Sequence, residues 1–205
     1  MGKIVVIGYS GHSYVVIDAA IKLGLQVKAY TEKEKRTQDP FKLEYLGFEG
    51  DENFKGLDKG YEFILGIGDN RNREKITKLI FTKREKLRSV IHPLANIGSK
   101  IKVGDGTFVA SGAMINPMVN IGKAVIINTG AILEHECEIG DYSHIAPGAV
   151  LAGNVKVGNR SFIGANAVVK EGIVIGNDVI IGAGTVVLND VESESKVVGN
   201  PGRLI

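Results

Sequence analysis

Set out in sixes from residue 97, the sequence reads IGSKIK (97–102), VGDGTF (103–108), VASGAM, INPMVN, IGKAVI, INTGAI, LEHECE (133–138), IGDYSH (139–144), IAPGAV, LAGNVK, VGNRSF, IGANAV, VKEGIV, IGNDVI, IGAGTV and VLNDVE (187–192). The first place of all sixteen blocks is Ile, Val or Leu. The fifth holds only Ile, Val, Ala, Thr, Ser or Cys, and Gly often fills the second. A period of six fits neither the 3.6 of a helix nor plain strand alternation. It suits a parallel β-helix, whose short strands alternate with tight turns and whose coils stack at about 4.8 Å. The first-place aliphatic then points inward, and the small fifth-place residue fills the remaining core space.

These blocks resemble the hexapeptide repeat of left-handed β-helix acyltransferases. In that family three blocks build one triangular coil, so sixteen imply about five coils. The left hand is what the resemblance implies; spacing alone does not reveal it, and parallel crossovers are usually right-handed.

Ahead of the repeat, Lys3-Ile4-Val5-Val6-Ile7 is a short β-rich run, followed by Gly8-Tyr9-Ser10-Gly11-His12-Ser13. Apolar residues then recur at Val15, Val16, Ala19, Ala20 and Leu23 with helical spacing, Gly24 closes the helix, and Val27 to Tyr30 can form a strand. Strand, Gly-rich turn, helix and strand make a βαβ unit whose turn offers backbone N–H groups to a phosphate. Gly8 and Gly11 give G-x-x-G, short of the dinucleotide fingerprint. After a polar stretch with one or two short strands, Tyr61-Glu62-Phe63-Ile64-Leu65 reads as a strand. Gly66-Ile67-Gly68-Asp69-Asn70 is a loop at its end, and Asp69 or Asn70 caps a helix over residues 71–81. Gly68 thus falls at the ligand edge of an open parallel sheet. The expectation is a Rossmann-like α/β domain over residues 1–88 and a β-helix over 89–205.

Composition narrows the function. A net charge of +2 without a long basic run argues against nucleic acid, and the Lys83-Arg84-Glu85-Lys86-Leu87-Arg88 patch reads as a solvated helix end. The apolar run at residues 4–7 is too short for a signal peptide, and nothing approaches the roughly 20 apolar residues of a membrane span. Cys137, the single cysteine, takes an inward fifth place and reads as a small core residue. A cytoplasmic protein is expected.

Two of the four histidines interrupt the repeat: His135, third in its block, and His144, sixth in its block. Neither place is inward, and a neutral imidazole can take a proton from an attacking amine or hydroxyl. Nine residues is half of an eighteen-residue coil, so the two face different ways in one chain: either they converge across a subunit interface or they do unrelated jobs. Pro147, Ala165 and Ala183 stack at eighteen-residue spacing, where small side chains leave a smooth groove that would suit a pantetheine arm. Two coil histidines without a third well-placed ligand make a metal site a poor fit.

The run Asn128-Thr129-Gly130 through Leu133-Glu134-His135-Glu136-Cys137 to Ile139-Gly140-Asp141-Tyr142-Ser143-His144 resembles the signature of bacterial nucleotide-amino-sugar N-acetyltransferases. That group includes the bacillosamine-pathway, perosamine and sialic-acid acetyltransferases, and the likeness to the bacillosamine-pathway enzymes is the strongest. Ser10-Gly11-His12, Gly66-Ile67-Gly68-Asp69-Asn70 and Gly199-Asn200-Pro201 extend it over the chain. The resemblance implies an acetyl-CoA-dependent N-acetyltransferase acting on the 4-amino group of a UDP-linked deoxy-amino-sugar. It makes His135 the catalytic base, Glu136 the carboxylate that supports it and Asn128 a nearby polar residue. His144, Ala165 and Ala183 become acetyl-CoA contacts, and Ser10, Gly11, His12 and Gly68 nucleotide-sugar contacts. It also implies a homotrimer with the active site between subunits, and no metal. Two departures stand out: Thr31-Glu32-Lys33 replaces an Asp pair, and Ala183 replaces a Gly. The alternative is an O-acetyltransferase acting on sialic acid or another sugar hydroxyl; a zinc enzyme and a non-catalytic scaffold are further rivals.

Overall fold

A computed structural model describes residues 3–51, 54, 56, 60–83 and 85–205. The chain opens with β1 (Ile4–Ile7), whose four residues are all buried. A strand covered on both faces needs such an unbroken β-branched run. Then follow α1 (Gly11–Lys22), β2 (Val27–Thr31), β3 (Glu44–Tyr45), β4 (Glu62–Leu65), α2 (Asn70–Thr82) and β5 (Lys86–Leu87). The five strands form one parallel sheet in the order β3-β2-β1-β4-β5. The strand order reverses between β1 and β4, and the crevice at that point is where open α/β sheets take ligands. Asp69 caps α2, its carboxylate accepting the Asn72 N–H at 2.8 Å.

The charged patch after α2 departs from expectation. The helix stops at Thr82, and Lys86 and Leu87 form β5 with Leu87 buried; Arg84 lies outside the described residues. One apolar residue among charges is how an exposed sheet edge is built, and it has no helical period to announce it.

From β6 (Val90–Ile91) to β22 (Val186–Val187) the chain is a left-handed parallel β-helix of two-residue strands. Each strand from β6 to β19 pairs with the one a full coil later. The three faces hold six, five and eight strands, the last including β23 (Lys196–Val198) and β24 (Arg203–Leu204). β6 keeps the six-residue register one block ahead of Ile97, whereas β23 and β24 fall outside it, and all three lengthen the column beyond the count from blocks alone. First- and fifth-place residues from Thr107 to Val191 are buried, and most form one continuous cluster. Hydroxyls at fifth places are satisfied locally. Thr107, Ser143 and Ser161 donate to the carbonyls of Gly122, Gly158 and Gly176, and accept from the amides of Val125, Ser161 and Val179. That is why Ser and Thr can replace Val or Ala there.

The outward residues give each face its character. One face presents Lys102, Asn120, Glu138, Lys156 and Val174 to solvent. A second presents Val90, Phe108 and Ile126, buried beneath α1 residues such as Val16, Ile17 and Ala20. Further along it His144 and Phe162 are half-buried and Ile180 is exposed. The third carries Met114, Ile132, Val150, Val168 and Val186 in one ladder, an apolar stripe with no covering element among the described residues. On the other flank of the small domain, Ile76 and Ile80 of α2 pack with Ala124 and Tyr142 at a corner of the column.

Candidate active site

A cavity of about 660 Å³ opens at the C-terminal ends of β1 and β4. Gly8, Ser10 and residues 66–69 form its floor, and Glu32 and Lys33 follow β2. Phe48 and Phe54 supply aromatic walls, and Asn72, Lys75 and Ile76 come from α2. Gly66 is required by close approach, since a Cβ there would sit 2.4 Å from the Ser13 Cβ and 2.7 Å from the Gly8 carbonyl oxygen. Ser13 closes the turn, its hydroxyl accepting the Ser10 N–H at 2.7 Å and donating to the Ser10 carbonyl at 2.6 Å. Glu32 accepts from the Tyr9 N–H at 3.1 Å and from Arg36 at 2.8 Å. Burial works to raise its pKa, but the hydrogen bonds from Arg36 and the backbone outweigh burial and hold it low. Aromatic walls, backbone donors and lysines are what a nucleotide needs.

Four of the sequence-derived residues meet beside this cavity. Gly68 lines it, and a Cβ on Gly68 would touch the His12 Cβ at 4.0 Å. The His12 and His144 ring centroids lie 6.3 Å apart, with Phe108 edge-on to the first and Phe162 edge-on to the second. Asn128 Nδ2 donates to His144 Nε2 at 3.1 Å. An amide nitrogen can only donate, so Nε2 accepts and the ring proton sits on Nδ1. Burial, and then the positive charge of Arg73, lower the His144 pKa to about 3, against a bond to the Gly68 backbone that works upward. The same two causes lower His12 to about 4. Both rings are neutral at physiological pH. His12 Nε2 is buried without a hydrogen-bond partner. Gly11, the first residue of α1, is exposed and a Cβ there would meet nothing.

His135 and Glu136 stand elsewhere, between β13 (Ile132–Leu133) on the apolar face and β14 (Glu138–Ile139) on the charged one. His135 Nδ1 lies 3.1 Å from Glu136 Oε2, and its side chain is 61% exposed. A carboxylate only accepts, so in the neutral ring Nδ1 carries the proton and Nε2 keeps its lone pair. Within one chain, this pair and His144 are on different sides of the prism. At the other edge of the apolar face Pro147, Ala165 and Ala183 stack, the Asn166 N–H donating to the Pro147 carbonyl at 2.9 Å and the Gly184 N–H to the Ala165 carbonyl at 2.8 Å. Cys137 points into the column, donating to the Ala152 carbonyl at 3.2 Å, and burial pushes its thiol up to about 11. Among the described residues no three His, Cys, Asp or Glu side chains converge as a metal site would need.

Arg73, buried between the two domains, is a residue the sequence reading missed. Its signal was its place on α2: with Ile76, Thr77 and Ile80 it forms the buried stripe, where a charge is unusual.

Residues 3–80 match the PglD N-terminal domain model, and residues 118–153 and 154–189 match the bacterial transferase hexapeptide (six repeats) model. Among solved structures, the chain is similar to a single-residue mutant of perosamine N-acetyltransferase from Caulobacter crescentus in complex with CoA and GDP-perosamine. The two are 33% identical with a TM-score of 0.93, over 100% of this chain and 97% of that one. It is also similar to the acetyltransferase domain of PglB from Neisseria gonorrhoeae in complex with acetyl coenzyme A, at 30% identity and a TM-score of 0.91 over 99% and 98% of the two chains. WeeI from Acinetobacter baumannii is 25% identical with a TM-score of 0.88, over 99% of both chains. Among curated protein sequences there is no match.

Proposed function

This chain belongs to the sugar N-acetyltransferase family that joins a PglD N-terminal domain to a hexapeptide-repeat column, and we propose that it moves the acetyl group of acetyl-CoA onto the amine of a nucleotide-linked amino-sugar. The observation that carries this reading is that Gly68, on the lining of a nucleotide-sized cavity, adjoins His12, whose ring lies beside His144 of the column. A nucleotide seated in the cavity would present its sugar across Ser10 and Gly68 toward those two rings. His12 Nε2, buried and unpartnered, is a natural contact for a sugar hydroxyl or phosphate.

The acetyl donor would run along Pro147, Ala165 and Ala183. His135 would supply the base: its free Nε2 accepts a proton from the amine as nitrogen attacks the thioester carbonyl. Backbone N–H groups would stabilise the developing oxyanion, and the sulfur departs as the CoA thiol. This requires a second chain. The apolar face carries His135 along one edge and the small-residue column along the other. Three copies turning that face toward a common axis would bring the His135 edge of one to the His144 side of the next. A homotrimer of this kind also covers the stripe from Met114 to Val186.

The resemblance favours a UDP-linked, 4-amino acceptor. The solved relative that carries GDP-perosamine makes a GDP-linked acceptor the second reading. The same reading makes the enzyme cytoplasmic; among the described residues no helix is long and apolar enough to cross a membrane. The test is release of CoA thiol from acetyl-CoA with UDP-, dTDP- and GDP-linked amino-sugars, with free sialic acid as comparison. Thiol release that requires the sugar amine supports the reading, and faster turnover of sialic acid than of every amine overturns it. His135→Ala should lower turnover by roughly 10²–10⁴-fold, the usual worth of a general base.

A further inference from the structure

The guanidinium of Arg73 is buried, 1% exposed, and faces no carboxylate within bonding distance among its hydrogen-bond partners. Those partners come from both halves of the molecule. From the small domain, the Ile67 carbonyl accepts from Nη1 at 3.2 Å, the Gly68 carbonyl from Nη1 at 2.8 Å and Asn70 Oδ1 from Nη2 at 2.8 Å. From the column, the Ala124 carbonyl accepts from Nε at 2.7 Å, and the Tyr142 and Ser143 carbonyls from Nη2 at 2.6 and 3.2 Å. Ser143 is bonded directly to His144, and Gly68 is the rim of the cavity. One planar group therefore bridges the floor that would hold the nucleotide and the strand that carries His144.

A structural tie alone would not need a charge here. A buried cation without a bonded carboxylate is costly, and an apolar residue with separate caps for the carbonyls would fasten the domains more cheaply. What a guanidinium adds is five donors in one rigid plane, which fixes angle as well as separation. Asn70 extends the tie, its amide donating to the Arg160 carbonyl at 2.8 Å.

We propose that Arg73 is a positioning residue, which aligns the nucleotide cavity with the acetyl-transfer site so that binding of the nucleotide is converted into correct placement of the sugar amine. This rests on the reading of Gly68 and His144 given under the proposed function. Remote binding energy raises turnover only when the frame between the two sites is stiff, and a displacement of about 1 Å can cost about 10²-fold. Arg73 stiffens that frame where Gly68 and Ser143 come together.

The test compares two acceptors, the nucleotide-linked amino-sugar that the wild type uses best and the methyl glycoside of the same sugar, which lacks the nucleotide. In the wild type kcat/KM favours the first. Arg73→Lys keeps the charge but gives up the planar fork, and should shrink that advantage by about tenfold or more while the glycoside rate changes by less than about threefold. Asn70→Ala, which removes one acceptor of the guanidinium, should shrink it in the same direction by a smaller factor. If Arg73→Lys does not fold, Asn70→Ala decides. Equal losses on both acceptors, or no loss on either, mean a structural tie only and overturn the proposal while leaving the acetyl-transfer reading intact. A wild type inert on every amino-sugar sinks both.

Discussion

The imidazole of His135 lies directly against Gly153, one coil further along the column: a Cβ built on Gly153 would sit 2.6 Å from the ring Cε1 and 2.7 Å from Nε2. The neighbouring backbones are locked together, with the Asn154 N–H donating to the His135 carbonyl at 2.8 Å. Glu136 holds Nδ1 from one side and the bare Gly153 backbone supports the ring from below, so Nε2 is aimed by both.

Gly153→Ala should therefore displace the ring without harming the column. Gly153 does not occupy the left-handed backbone region, so alanine brings no backbone strain, only the collision with His135. We expect turnover to fall by about 10–10²-fold, with the KM for acetyl-CoA within a few-fold and the melting temperature within a few degrees. Steady-state kinetics with differential scanning calorimetry checks this; unchanged turnover in the folded variant would remove His135 from the mechanism as drawn.

The low pKa values of His12 and His144 make a stability prediction. Both folded values, about 4 and about 3, lie below the usual 6.5, so the unfolded chain binds more protons between them. Stability is then full above pH 6.5 and falls as pH drops through 6.5 toward 4 and 3, at about 1.4 kcal/mol per pH unit for each ring. His12→Phe deletes one of these titrations and keeps a ring against Phe108. Its melting temperature should fall less than that of the wild type between pH 7 and pH 5. An equal fall in both proteins would show that His12 is not held neutral by the fold.

The apolar stripe gives a prediction about assembly. Val168, 41% exposed, and Met114, 45% exposed, lie in the ladder with Ile132, Val150 and Val186. Val168→Glu places a charge where three subunits would meet and should yield a folded, inactive monomer in analytical ultracentrifugation. Co-expressing His135→Ala with His144→Ala chains should restore measurable turnover, because some mixed interfaces pair an intact His135 with an intact His144. A fully active Val168→Glu monomer, or no recovery on mixing, would place the whole site within one chain.

The column was legible because a six-residue period is one that neither a helix nor plain strand alternation makes, and the inward places from Thr107 to Val191 follow it. β1, α1, β4 and α2 were legible from short β-rich runs and helical spacing. β3 falls in the polar stretch where one or two short strands were expected but not located, and β5 was read as a helix end, since two residues are too few to show any period. Phe48 and Phe54 on the cavity wall sit in an aperiodic stretch, and only the fold brings them to the ends of β1 and β4. The meeting of His12 with His144 joins residues 132 positions apart in sequence. Arg73 was hidden for a related reason: its partners are mostly backbone carbonyls, which every sequence possesses.

Cys137 separates direct transfer from a covalent route. It is the single cysteine and sits two residues from His135, so a hasty reading would make them a thiol–imidazole pair. The geometry opposes this: the sulfur points into the column and donates to the Ala152 carbonyl at 3.2 Å, while the His135 ring is on the outer surface. With its pKa pushed up to about 11, roughly one thiol in 10³ is ionised at pH 8, and the ionised form is the nucleophile. Cys137→Ala keeps a residue type that Ala131 and Ala149 already show to fit the inward place. Its turnover should stay within about twofold of the wild type, and the native protein should resist iodoacetamide at pH 8 until it is unfolded. Loss of about tenfold or more in turnover, or an acetyl group trapped on the sulfur during a burst, would require a two-step mechanism instead.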